Sequence, residues 1–276
     1  MLIIKELNKN FDKQKVLKNI NITANKGQIY GLVGSNGCGK TTLLKHIMRI
    51  YKSDSGEILY NGEQITDKTL FVEEFYYVQD NLFFPNQYTI NDLYNYEKLY
   101  YKNISREKFD NLVSFFNIDT KKALNRMSKG QKKQAAFVIA MATCPKVVLL
   151  DEIVDGLDAV IKRKFWNVLI GDTMENDTTV IISSHDLKEL DNICDRVGIM
   201  HEGEIIKEEE LEKLKNELKR VQFAIDKEFE VPNENSLGII KTLKLGSVYI
   251  CTIKGDSDVL KKHLYDNYNV LLFDEL

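Results

Sequence analysis

Read for the alternation of apolar and polar positions, the chain opens as strands. Residues 2–7, 16–23 and 28–33 are strand-like runs separated by Asn-Lys and Asn-Lys-Gly turns, so an antiparallel sheet is expected first. A helix-like run at 42–51 follows. The segment 55–65, SGEILYNGEQI, then places two short strands about Asn61-Gly62, a strong hairpin signal. Phe75–Val78 reads as a strand that ends in Gln79 and Asp80. From about 88 to 143 the period turns helical. Thr89 with Asp92 marks a capped start, Phe109, Leu112, Val113 and Phe116 fall on one face, and Ser128 caps a third helix continued by the apolar run 135–142. KVVLLDE at 146–152 is a continuous apolar run ending in two carboxylates, the pattern of a buried parallel strand. A short hairpin at 197–200 turns through His201-Glu202-Gly203. Residues 208–220 read as a linking helix, with Leu211, Leu214 and Leu218 on one face and Glu209 paired with Lys213. Val221, Phe223 and Ile225 then alternate, as do Val248, Ile250 and Thr252, with a helix near 256–266 and a strand at 270–273. The pattern predicts an α/β body over 1–215, with a mostly parallel sheet, an N-terminal antiparallel β subdomain and a helical insertion at about 88–143. A small α+β appendage at 216–276 follows it.

The chemistry starts where the strand 28–33 meets the helix 42–51. The junction Gly34, Ser35, Asn36, Gly37, Cys38, Gly39, Lys40, Thr41 fits G-x-x-x-x-G-K-[ST] at every defined position and sits in the strand-to-helix context that the pattern requires. Its three glycines let the backbone curl so that amide N–H groups face phosphate oxygens, and the following helix adds its free N-terminal amides, including that of Thr42. Lys40 is placed to reach the β and γ phosphates, and the Thr41 hydroxyl to be a ligand of Mg2+. Cys38, inside this loop, is expected to act as packing, as are Cys144, Cys194 and Cys251, which have no C-x-x-C spacing for zinc or disulfides.

Composition narrows the setting. Of 276 residues, 43% are hydrophobic and 29% charged, as in a folded soluble chain, and the net charge of −3 offers nucleic acid no global attraction. No run of eighteen apolar residues occurs and the first ten residues alternate like a strand, so a cytoplasmic location is expected. Phe11, among Asn10, Asp12 and Lys13, is either an exposed platform for a base or packing under the hairpin. Seven aromatics, Phe83, Phe84, Tyr88, Tyr94, Tyr96, Tyr100 and Tyr101, divide in the same way between core and docking surface.

Asp151 at the strand tip suits a Mg2+ ligand, and Glu152 beyond it suits a base for water. Together with Gln79, SKGQ at 128–131, GLD at 156–158 and SSH at 183–185, the ordered set resembles the nucleotide-binding subunit of ATP-binding cassette (ABC) transporters over about residues 1–215. The resemblance implies a P-loop NTPase of RecA-like fold that hydrolyses ATP with Mg2+. It implies that Phe11 stacks on adenine, that Gln79 touches Mg2+ and the lytic water, and that His185 contacts the γ-phosphate. It further implies a head-to-tail dimer in which Ser128 and Gly130, with Gln131 beside them, serve the ATP of the opposite subunit and Asp158 lies across the interface.

Two departures stand out. Met127 and Lys129 replace a leucine and a glycine of the usual LSGGQ, and Ile153-Val154-Asp155-Gly156 replaces Pro-Thr-Ser-Gly after the acidic pair. Serine-lysine-glycine signatures are similar to those of drug, bacitracin and lantibiotic exporters of the ABC-2 type. With one phosphate loop and no membrane span, such a subunit is expected to drive a separate permease, in export more than import, as a homodimer or with a paralogue. The alternatives are a soluble cassette ATPase of translation or DNA repair, which usually carries two cassettes, and a small-molecule kinase, which lacks the serine-glycine-glutamine motif.

Overall fold

Strand β1 (Leu2–Phe11) buries Leu2, Ile4 and Leu7, and the register shift between Ile4 and Leu7 puts Glu6 at φ +47° outside the strict alternation. It pairs antiparallel with β2 (Gln14–Ala24), from Leu2↔Ala24 to Phe11↔Gln14. The computed structural model describes residues 1–66, 72–229 and 237–275, with the side chains of 72 and 215–218 excepted. The chain divides into two units, Met1–Glu208 and Glu209–Leu276.

In the first unit, β3 (Ile29–Val33) leads into α1 (Lys40–Ile47), then β4 (Ser55–Tyr60), β5 (Glu63–Gln64) and β6 (Phe75–Val78). The insertion is α2 (Ile90–Glu97), α3 (Arg106–Phe116) and α4 (Lys129–Ala142). β7 (Val147–Asp151), α5 (Ala159–Asn176), β8 (Thr179–Ser184), the short α6 (Leu187–Leu190), β9 (Arg196–His201) and β10 (Glu204–Glu210) complete the order. One sheet runs β2-β1-β4-β5; its last turn is Asn61-Gly62 at φ +50° and +87°, the two positive angles of the hairpin turn expected there. The second runs β10-β9-β3-β8-β7-β6, with parallel pairing from β9 to β6.

The segment 28–33 was expected in the antiparallel sheet and instead supplies β3 at the heart of the parallel one. The reason lies in its burial: every residue of β3, β7 and β8 is buried, as strands covered on both faces must be. Helix α4 is covered nearly all round through 135–142. Phe137 stacks on Phe165 of α5 at 4.1 Å between ring centroids, and Phe116 of α3 meets both edge-on, which ties the insertion to the sheet layer.

The second unit contains α7 (Leu211–Glu217), β11 (Leu218–Ile225), β12 (Ile239–Leu245), β13 (Val248–Lys254), α8 (Ser257–Asn267) and β14 (Val270–Glu275), with sheet order β12-β13-β11-β14. The expected helix 208–220 is shorter, because β10 reaches Glu210 and β11 takes Leu218, whose side chain lies outside the described residues. The division between the two units falls at Glu208/Glu209, within β10. In β13 the buried set is Tyr249, Cys251 and Ile253, the complement of the alternating trio noted above. Phe223↔Tyr249 and Val221↔Cys251 put these on the face covered by Leu260 and Leu264 of α8.

Candidate functional site

Four parallel strands end at one level: Val33 is opposite Ser184, Asp151 opposite Ser183, and Val78 opposite Leu150. The chain therefore releases Gly34, Gln79, Glu152 and His185 along a single sheet edge, where open α/β sheets hold ligands. At Gly34 the reason for glycine is space, since a Cβ would lie 2.3 Å from the Met200 carbonyl oxygen. At Gly37 it is conformation, φ +82° with open space around it. The loop is braced from behind. The Gly34 amide donates to the Ser184 carbonyl at 3.2 Å, and the Gly203 amide donates to the Cys38 carbonyl at 3.0 Å. The Gly203 carbonyl accepts the Lys18 amide at 2.8 Å, so the β9–β10 turn joins the phosphate loop to β2.

Ser35, Asn36, Gly37 and Thr41 are exposed, Thr42 is half-buried, and Cys38, Gly39 and Lys40 are buried. Helix α1 has no side-chain cap on its first amides, which leaves them directed to the loop. The Lys40 ammonium, 4% exposed, donates to the carbonyls of Gly34 (2.7 Å) and Ser35 (3.3 Å) and lies 3.2 Å from Glu152 Oε1.

Asp151 is fully enclosed and doubly anchored: Ser183 Oγ donates to Oδ1 at 2.6 Å and the Tyr77 hydroxyl to Oδ2 at 3.1 Å. Burial, then the Asp151 charge, raises the Tyr77 pKa, so the phenol remains a donor. Glu152 stands at φ +48°, a left-handed conformation costing about 1–3 kcal/mol in a non-glycine residue. Its amide donates to Ser183 Oγ (3.0 Å), and its carbonyl accepts from Lys133 Nζ (2.7 Å). Ligand atoms of Glu152, Asp155 and the exposed His185 lie within 4.8 Å of one another. Ser184, beside His185, donates to Glu189 at 2.8 Å, and Lys162 holds the other carboxylate oxygen at 2.5 Å. Thr41, Asp151 and Gln79, the residues expected to hold Mg2+, offer hard oxygen donors of the kind that ion takes.

Other expected residues stand apart from this cluster. Ser128 and Gln131 form a reciprocal capping box on α4, and Asp158 caps α5 through the Ile161 amide at 2.9 Å. Among the described residues no hydrogen bond or ion pair joins Ser128, Gly130 or Asp158 to the phosphate loop. Gln79 is exposed at the tip of β6. Phe11 is 38% exposed; it forms a T-shaped pair with Tyr51 at 5.3 Å, and Lys9 Nζ lies over its ring at 5.3 Å from the centroid. Sequence reasoning missed Tyr77 and Lys133. Tyr77 had a faint signal, two residues before Gln79 on one strand; Lys133 shares a helix face with Phe137 and Ala140, which its charged neighbours conceal.

The family model for the ABC transporter matches residues 17–155. The chain is similar to the ABC transporter ATP-binding protein YtrB of Bacillus subtilis, at 31% identity over 250 residues, 88% of this chain and 86% of that protein. It is also similar to the lantibiotic transport ATP-binding protein SrtF of Streptococcus pyogenes, at 29% identity over 226 residues, 78% and 93% of the two. Among solved structures, cbiO1 from Clostridium perfringens, part of the ABC transporter complex cbiONQ, matches with a TM-score of 0.65 at 28% identity, covering 77% of this chain and 89% of that one. The P-loop NTPase architecture and these relatives agree: the chain belongs to the ABC transporter family, as an ATP-binding, ATP-hydrolysing subunit.

Proposed function

We propose that this subunit dimerises on ATP with a second nucleotide-binding subunit and drives a separate membrane permease that exports a drug, a peptide antibiotic or a similar compound. The observation that carries the ATPase part is the convergence of Lys40 and Glu152 at 3.2 Å on one strand edge. In this reading the loop from Gly34 to Thr42 cradles the phosphates. Lys40 exchanges its carbonyl and carboxylate partners for β and γ oxygens, and Phe11 stacks on adenine. Thr41, Asp151 and Gln79 would hold Mg2+, which supplies neutralising charge to the phosphates. Glu152 takes the proton of the attacking water while Gln79 and His185 orient water and γ-phosphate.

Ser128, Gly130 and Gln131 serve the ATP of the second subunit, with Asp158 at the interface. Their separation from the phosphate loop within this chain favours that assignment. Lys129, placed at a helix N-terminus, adds positive charge toward that phosphate. Among the described residues no helix is long and apolar enough to cross a membrane. In this reading, which the likeness to ABC transporter ATP-binding proteins supports, the transport step falls to a partner and the subunit works on the cytoplasmic face without nucleic acid. Export rests on the serine-lysine-glycine signature and on the likeness to a lantibiotic transport protein. The soluble-cassette alternative has no comparable support.

Two experiments test the assembly. With ATP and Mg2+, the Glu152→Gln variant is expected to double its mass by light scattering, and Ser128→Arg, which crowds the shared phosphate, to keep it monomeric. A monomeric Glu152→Gln protein would point to a paralogous partner. For the permease, the aromatic group divides clearly: Tyr94 and Tyr101 are core, Phe84 and Tyr88 half-buried, and Phe83 is 82% exposed with Tyr96 and Tyr100 also outside. Phe83→Ala is expected to leave the melting temperature unchanged and to weaken recovery with permease-containing membranes, at about 2 kcal/mol for an aromatic anchor. Unchanged recovery would exclude Phe83 from the interface.

A further inference from the structure

Lys133 is the one lysine of α4 turned fully inward, 1% exposed, where an ammonium is costly unless every N–H is answered. Two are answered by backbone: Nζ donates to the Glu152 carbonyl at 2.7 Å and to the Asp155 carbonyl at 2.9 Å. The third direction is toward Asp80, whose Oδ1 lies 3.8 Å away, an ion pair without a hydrogen bond. One cation therefore touches three segments: α4, the turn after Glu152, and the residue that follows Gln79. Burial first, and the nearby Lys129 second, lower the Lys133 pKa, while Asp80, Asp155 and Glu152 oppose that shift.

The turn it grips, Ile153-Val154-Asp155-Gly156, contains no proline. Ile153 and Val154 are wholly buried, the Asp155 amide donates to the Glu152 carbonyl at 3.2 Å, and Glu152 itself is left-handed. Apolar anchors fix where this turn sits, but not the orientation of its carbonyls. That orientation bears on where the Glu152 side chain aims; Lys133 shares the Glu152 carbonyl with the Asp155 amide and also takes the Asp155 carbonyl.

We propose that Lys133 is a positioning residue for ATP hydrolysis: by clamping the Glu152 and Asp155 carbonyls it aims the Glu152 carboxylate, and its contact with Asp80 makes that aim depend on the segment carrying Gln79. The proposal rests on Glu152 being the base for water. It differs from a purely structural role because the effect must pass through Glu152.

The test is a double-mutant cycle in the full chain, reading nucleotide affinity and single-turnover hydrolysis for Lys133→Met, Glu152→Gln and the pair. Lys133→Met is expected to slow hydrolysis on the order of 10²-fold, the scale of a misplacement near 1 Å, with ATP affinity unchanged. In the Glu152→Gln background it should add less than about twofold, because the group it aims is already gone. Asp80→Asn should slow hydrolysis more mildly, and only while Lys133 is present. Lys133→Gln, which keeps a donor, is expected to lose less with the same non-additivity, and it replaces Lys133→Met if that variant does not fold. Normal hydrolysis in Lys133→Met, or a loss that multiplies fully with Glu152→Gln, would overturn the proposal. Normal hydrolysis in Glu152→Gln would instead remove the base assignment on which it stands, a separate and recognisable failure.

Discussion

Glu152→Gln is expected to lower ATP turnover by about 10²–10⁴-fold, the span of a general base, while ATP affinity holds or rises. The sign of the second effect follows from charge. Glu152 Oε1 is 3.2 Å from Lys40 Nζ, so its negative charge both occupies the cation meant for phosphate and repels the phosphate itself. Glutamine keeps the size and removes both effects. Phosphate release and an equilibrium nucleotide titration on the same preparation measure the two quantities. Turnover close to the parent's would move proton transfer to Asp155 or His185, the other members of the 4.8 Å cluster.

Lys40→Ala produces the opposite separation: ATP affinity is expected to fall by about 10²-fold or more. A charge-assisted hydrogen bond contributes about 1.5–3 kcal/mol, and one ammonium is shared by two phosphates. The loss is deepened because Glu152 then faces the γ-phosphate with no cation between them. Folding should survive. The buried Gly34 carbonyl and the half-buried Ser35 carbonyl lose a donor, but β3 and α1 on either side are held by the core. Calorimetric titration gives the affinity, and an unchanged melting temperature without nucleotide shows that the loss is local. Affinity within threefold of the parent would mean that the backbone amides bind the phosphates alone.

Much of this was legible before any coordinates, for a physical reason. The phosphate loop is a local object: Gly34 to Thr41 must be contiguous to curl around an anion, so spacing alone exposes it. The caps expected at Thr89/Asp92 and at Ser128 are equally local, and both are present, the second closed into a box by Gln131. What sequence hides is choice between partners. The apolar run 28–33 does not say which sheet it joins, and covering elements decide that. Residues 248–253 carry apolar side chains on both alternating sets, and the packing of α8 goes with Tyr249, Cys251 and Ile253 as the inner one. Lys133 is hidden most completely, because a lysine among charged neighbours reads as solvated, and its true partners are backbone carbonyls 19 and 22 residues away.

The brace behind the phosphate loop has a practical side. A hairpin such as β9–β10, joined by Glu202 and Gly203, looks from outside like a harmless place to splice in a tag or a fluorescent reporter. Gly203 is instead a node: its amide and carbonyl are both committed, and a side chain there would press within 2.4 Å of the Val16 carbonyl. Lengthening that turn would detach the loop from β2 and loosen the amides that face the nucleotide, however far the insert sat from them. The turn at Gly62, with nothing within 4 Å of an added Cβ, carries no such crowding and is the better place in this unit for an insert.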